Sequence, residues 1–232
     1  MPLTSRQNSA EAVLLDLDGT LVASRDGIVS CLHLALQDLG HASDRSQDLT
    51  WVVGPPLHDI VAQLLAPYGD DRHELAMTRY KHHYEGGGLF ESPLFPGIAD
   101  AVLELASSGR RLFLATSKPL HTARRIIEAR GLTRFFSGLY GARPDDSGAE
   151  KPELIARLIE TEKVDPTRAV MVGDRRFDIS GAHANKIRAI GVLWGYGGRG
   201  ELEEAGADAL AETPGELVHT VEQQLAAAMA HV

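Results

Sequence analysis

The sequence lacks most of what a disulfide scaffold, a nucleic-acid binder or a membrane protein requires. Cys31 is the single cysteine among 232 residues, so neither an internal disulfide nor a thiolate metal cluster can form. A reducing cytoplasm is the expected compartment. Positive charge is scarce: 23 Lys and Arg against 32 Asp and Glu leave a net charge of −9 with histidine neutral. Binding to a nucleic-acid polymer or an anionic membrane relies on a basic surface that releases counterions, and is therefore not expected. A local basic pocket for a small anion stays compatible with that balance. No apolar run reaches the roughly 18 residues of a membrane span. The first ten residues are polar and lack the apolar stretch of a secretory signal. Oligomeric state is left open, monomer or dimer.

What the chain does contain is a series of short apolar runs, each ending in a polar or glycine-rich turn. Ala12-Val13-Leu14-Leu15-Asp16-Leu17 is the first and Arg111-Leu112-Phe113-Leu114-Ala115-Thr116 the second. Gly138-Leu139-Tyr140-Gly141 is weaker, whereas Ala169-Val170-Met171-Val172-Gly173 and Ala189-Ile190-Gly191-Val192-Leu193-Trp194 are strong. Runs that are apolar throughout, rather than alternating, predict strands buried on both faces, as in a parallel sheet. Helical patterns at 98–108, 120–130, 152–163 and about 177–185 alternate with them, and a last helix is expected from Pro214 onward. Strand-then-helix alternation predicts an α/β fold with a doubly wound, mainly parallel, Rossmann-like sheet.

One connection is too long for this scheme. Between the first two runs, Ile28, Leu32, Ala35, Leu36 and Leu39, then Leu57, Ile60, Val61, Leu64 and Leu65, recur at helical spacing, and a third helix is expected over 72–84. Residues 24–93 are therefore expected to form an inserted all-helical cap, with 1–23 and 94–232 forming the core. Ligands of open α/β sheets bind at the carboxyl ends of the strands, so an insert there is expected to act as a lid.

Acidic residues gather where those strands end. Asp16 and Asp18 sit at i and i+2 on an extended segment and point the same way, and Gly19 permits a tight turn. Gly173-Asp174-Arg175-Arg176-Phe177-Asp178 brings two more acids to another strand end. Such a cluster repels itself unless a hard cation intervenes; Mg²⁺ takes one or two carboxylates together with waters and substrate phosphate.

Asp16-Leu17-Asp18-Gly19-Thr20-Leu21-Val22 resembles the first motif of the haloacid dehalogenase superfamily. Thr116-Ser117-Lys118 resembles the second, Lys151 the third and Gly173-Asp174 with Asp178 the fourth, in the family's order and across essentially the whole chain. Ala115-Thr116-Ser117-Lys118-Pro119 with Gly195-Tyr196-Gly197 is similar to the 5′-nucleotidase-like branch, which neighbours the phosphoglycolate phosphatases. The resemblance implies a phosphatase for a small phosphorylated metabolite, a nucleoside 5′-monophosphate or phosphoglycolate, with Mg²⁺ as cofactor. It implies Asp16 as the nucleophile that forms an aspartyl-phosphate, and Asp18 as the acid and then the base. The Thr116 hydroxyl, the Ser117 backbone N–H and the Lys151 cation are implied to bind the phosphoryl group, and Asp16, the backbone carbonyl of Asp18 and Asp174 to bind the metal. Asp178 would hold a water of the cation or orient its loop.

Two positions depart from the family pattern: Ser117 stands where asparagine is frequent, and Arg175 where a small hydroxyl residue is frequent. Lys118 and Lys163 compete with Lys151 for the cationic role; Lys118 follows its motif too closely to reach across easily. Gly195-Tyr196-Gly197-Gly198-Arg199-Gly200 fits a dinucleotide-loop spacing but comes late in the fold, and is expected instead to be a flexible loop beside the active site. The histidines, with His82 and His83 adjacent, are expected to be solvated. Trp51 is expected in the lid core. Gly54, Arg79 and Lys81 are candidate substrate contacts on the lid. A phosphosugar mutase on the same scaffold is the alternative; Thr20, where such mutases often carry valine, favours the phosphatase. A carbon–halogen hydrolase generally lacks the second aspartate, and a non-catalytic binding protein ranks lower still.

Overall fold

A computed structural model describes residues 10–143 and 147–229. The chain divides into two compact units, one formed by the sequence up to Val22 and from Leu94 onward, the other by Ala23–Pro93.

In the first unit six parallel strands form one sheet: β1 (Ala12–Leu15), β2 (Arg111–Pro119), β3 (Phe136–Ala142), β4 (Ala169–Gly173), β5 (Arg188–Val192) and β6 (Ala209–Ala211). Their order is β3-β2-β1-β4-β5-β6. β1 is the fourfold apolar run Ala12-Val13-Leu14-Leu15, buried at every position. One side of each central strand, Ala12 and Leu14, Phe113 and Ala115, Ala169 and Met171, packs into a core with Leu154, Ile155, Leu158 and Ile179. Those partners come from α6 (Lys151–Glu162) and α7 (Arg176–Ala184). α4 (Ile98–Ser107), α5 (Leu120–Ala129) and α9 (Pro214–Met229) also pack on the strands, and the short α8 (Gly198–Glu204) follows β5. Truncating a residue such as Leu14 to alanine would cost about 2–5 kcal/mol, because the close-packed interior recovers little of the lost volume.

This order places the switch point of the sheet at β1 and β4. Leu15 lies opposite Val172 and Leu114, and the Asp16 N–H donates to the Val172 carbonyl at 3.0 Å. Parallel strands end at one edge, so the residues after β1, β2 and β4 converge although they are far apart in sequence.

In the second unit, α1 (Arg25–Asp38), α2 (Leu57–Leu65) and α3 (His73–Gly86) bury Leu36, Leu39, Val61, Leu65 and Ala76 among themselves. Cys31 is buried in α1, its thiol pushed up to about 11 by burial and the Glu91 charge. Trp51 is partly buried and Gly54 exposed. Among the described residues, no helix is long and apolar enough to cross a membrane.

Candidate active site

The turn after β1 is set by its own backbone. Leu21 and Val22 N–H groups donate to the Leu17 carbonyl at 2.9 and 3.0 Å, and Gly19 N–H donates to the Val22 carbonyl at 3.0 Å. Gly19 takes φ +84°, and a Cβ there would lie 2.1 Å from Asp174 Oδ2, so both the turn and the close approach of the two acid-bearing loops require glycine. Asp16 (7% exposed), Asp174 (0%) and Asp178 (1%) are all buried. One carboxylate oxygen from each of the three lies within 4.8 Å of the others.

Lys151, the first residue of α6, reaches into this cluster. Its Nζ donates to Asp16 Oδ1 and to the Ala115 carbonyl, both at 2.8 Å, and lies 2.6 Å from Asp178 Oδ1. Burial pulls the ammonium pKa down, but the charges of Asp16 and Asp178 and its hydrogen bonds to them raise it above its ordinary value. It is a buried cation at neutral pH. Asp16 is pushed up to about 6 by burial, with Lys151 opposing and the charges of Asp178 and Asp18 adding to the rise. Asp174 is raised well above the usual carboxylate range by burial and then by the Asp178 and Asp16 charges; the Tyr196 N–H opposes this. One lysine therefore faces three acids, and the chemistry of that donor set fits a hard divalent cation, which prefers oxygen ligands.

The remaining expected residues fall around this group. Thr116 is buried at 2% exposure, and its Oγ1 accepts from the Lys118 N–H at 3.3 Å. The Ser117 hydroxyl donates to the Ala149 carbonyl at 2.8 Å, which anchors the segment just before Lys151. Asp178 closes a capping box: its Oδ2 accepts from the Arg175 N–H at 3.1 Å. Arg175 pairs with Glu201 at 2.9 Å. The Asp18 carboxylate stands apart from the triad and forms an ion pair with Lys118, Nζ to Oδ1 2.9 Å. Here the sequence-based expectation is corrected. Lys118 does reach Asp18, from the end of β2, where the pairing with β3 is irregular between Ala115 and Pro119. The loop expected beside the active site lies there, but sequence reasoning missed its contacts: the Tyr196 N–H donates to Asp174 Oδ2 at 2.8 Å, and the Trp194 indole N–H to the Thr20 carbonyl at 2.9 Å. Its glycines, at the end of the last strong apolar run, were the available signal.

Gly54, Arg79 and Lys81 lie in the helical unit, where Arg79 is 4.0 Å from Asp38. Among the described residues, the aspartate triad is the one group of three or more His, Cys, Asp or Glu arranged to hold a metal ion.

The sequence profile of haloacid dehalogenase-like hydrolases matches residues 13–192. The chain belongs to this family. Among its relatives, a tyrosine-protein kinase, PtkA of Mycobacterium tuberculosis, is 37% identical over 194 residues, covering 84% of this chain and 66% of PtkA. The chain thus spans slightly less than two thirds of PtkA's length. A 5′-nucleotidase of Pseudomonas aeruginosa is 35% identical over 192 residues, covering 82% of this chain and 86% of the relative. Among solved family structures, the haloacid dehalogenase-like hydrolase SP0104 of Streptococcus pneumoniae superposes with a TM-score of 0.84 at 32% identity, covering 91% of this chain and 98% of that one.

Proposed function

We propose that this family member is a Mg²⁺-dependent phosphomonoester hydrolase for a small phosphorylated metabolite, a nucleoside 5′-monophosphate or phosphoglycolate, and that it works through an aspartyl-phosphate at Asp16. The observation that carries the reading is the Lys151 ammonium held between Asp16 and Asp178, with Asp174 completing a buried acidic triad at the switch point of the sheet.

Asp16 Oδ attacks phosphorus in line as the ester P–O bond breaks, and Asp18, which enters this step protonated and leaves it as the carboxylate, gives the departing oxygen its proton. In the second step water attacks the phosphorus and the bond to Asp16 breaks. Asp18 takes the water proton and inorganic phosphate leaves, so the net change is ester plus water to alcohol plus phosphate. Lys118, paired with Asp18, holds that carboxylate in place. The Thr116 hydroxyl and the Ser117 backbone N–H bind phosphoryl oxygens, and Lys151 balances their charge and orients Asp16. Mg²⁺, held by Asp16, the Asp18 carbonyl and Asp174, would neutralise phosphate charge, and Asp178 keeps Lys151 and the loop after β4 in place. Residues 24–93 complete the proposal as a cap that selects substrate.

A screen of nucleoside monophosphates, phosphoglycolate and sugar phosphates, with Mg²⁺ and with EDTA, tests it. Mg²⁺-dependent phosphate release is expected; folded protein that releases none from any of them overturns the reading. The 37% identity to PtkA favours one second reading, transfer of phosphate to a tyrosine hydroxyl instead of water. Labelled ATP tests the second reading: hydroxylamine-stable label on tyrosine supports transfer, whereas protein label that hydroxylamine releases is the acyl phosphate of the hydrolase.

A further inference from the structure

Gly195-Tyr196-Gly197 is used nowhere in the reaction as proposed, yet it lies on one of the acids. The Tyr196 N–H donates to Asp174 Oδ2 at 2.8 Å, and the Trp194 indole Nε1–H donates to the Thr20 carbonyl at 2.9 Å. Thr20 is fully buried, and its hydroxyl lies 3.4 Å from Asp174 Oδ1. The two glycines are demanded by space. A Cβ on Gly195 would stand 2.2 Å from Asp174 Cβ and 2.5 Å from the Gly19 carbonyl oxygen; one on Gly197 would stand 2.0 Å from the Asp174 carbonyl oxygen. These neighbours are backbone or the acid itself, so no change of rotamer relieves the clash. Glu201 then ties the following helix to the same loop, accepting from Arg175 Nε and the Arg176 N–H, each at 2.9 Å.

We propose that residues 194–197 are a positioning clamp for the divalent cation. The Tyr196 amide fixes the Asp174 carboxylate, the glycines let the chain approach closely enough to do so, and Trp194 fastens the clamp to the turn that carries Asp16 and Asp18. The reasoning rests on the cation reading above. Mg²⁺ demands near-octahedral geometry and tolerates little ligand rotation. Groups that orient a ligand therefore govern affinity without touching the ion.

The test is Mg²⁺ affinity of the full chain, read from the Mg²⁺ dependence of thermal stability. Gly197→Ala should weaken it about 10- to 100-fold, the usual effect of losing a ligand's orienting partners. Trp194→Phe, which removes the N–H donor together with part of the ring, should weaken it about 3- to 10-fold, the scale of one hydrogen bond. Gly200→Ala, whose added Cβ meets open space, should change nothing. The sequence has two tryptophans, so in Trp51→Phe the emission of Trp194 alone should change on Mg²⁺ addition, with the same midpoint. Wild-type affinity in both Gly197→Ala and Trp194→Phe, or Trp194 emission indifferent to Mg²⁺, overturns the clamp. If Gly197→Ala does not fold, Trp194→Phe and the emission decide. A wild-type protein that binds no Mg²⁺ removes the cation reading itself and the clamp with it, a failure distinct from that of the variants.

Discussion

Asp174 at the sheet edge and Asp70 in the helical unit are the same residue type under opposite constraints. Asp70 receives the Arg72 Nε at 3.0 Å, its Nη2 at 2.6 Å and its N–H at 2.9 Å, and pairs with His41 Nε2 at 2.6 Å. The Arg72 bonds above all, then His41, hold its carboxyl below the ordinary carboxylate range. Asp174 has one short N–H donor, from Tyr196, together with burial and two acidic neighbours, and is held well above that range. The first arrangement stabilises an anion for the sake of the fold. The second keeps an acid short of partners inside the core, a cost the fold bears where a cation and a phosphoryl group are proposed to bind.

The sharpest way to break this contrast is at the proposed nucleophile. Asp16→Asn should lower turnover by about 10⁴-fold or more, as loss of a covalent nucleophile does, with the circular dichroism spectrum unchanged. Residual activity close to wild type would assign the chemistry elsewhere. Lys151→Met should reduce kcat by about 10²–10³-fold, the scale for one preorganised electrostatic donor. It should also destabilise by about 3–5 kcal/mol in denaturant unfolding, because two buried acids lose their counter-charge. Lys118→Ala frees the Asp18 carboxylate and should lower kcat by up to about 10²-fold, the effect of a misplaced group. KM should move little, and Lys118→Arg should restore part of the rate.

Smaller effects sharpen the comparison in stability alone. Asp174→Asn should melt above wild type in EDTA, since a buried repelling charge is gone, and should lose the stabilisation that Mg²⁺ gives wild type. Asp70→Asn should melt below wild type at neutral pH. Because the folded-state pKa of Asp70 is depressed, its contribution is present above the unfolded value of about 3.9 and is lost as pH falls through the folded one. The gap between wild type and Asp70→Asn should therefore close as the solution is acidified below about pH 4. A gap independent of pH would show that Asp70 contributes packing rather than charge.

The fold was largely legible because a parallel core writes itself as unbroken apolar runs. The run 169–173 and the two long runs before it mark strands at their true places, and the helix limits differ from pattern by one or two residues. The acids of the candidate site were equally legible, since each follows such a run. What could not be read depends on tertiary register. The pairing of Lys118 with Asp18 across two strand ends leaves no mark in composition. The Ser117 hydroxyl goes to Ala149, a contact separate from the phosphate role expected of its backbone N–H. The glycines at 195 and 197 were legible as a loop beside the active site, but the steric reason for them, the nearness of Asp174, was not.

The covalent step is the centre of the proposed function, and one measurement reaches it directly. The protein is mixed with Mg²⁺ and the ester selected by the screen, carrying labelled phosphate, then quenched in acid and mapped by peptide. Label should appear on the peptide containing Asp16, be released by hydroxylamine as acyl phosphates are, and be absent in Asp16→Asn. Label that resists hydroxylamine, or that Asp16→Asn retains, would contradict an aspartyl-phosphate at this residue.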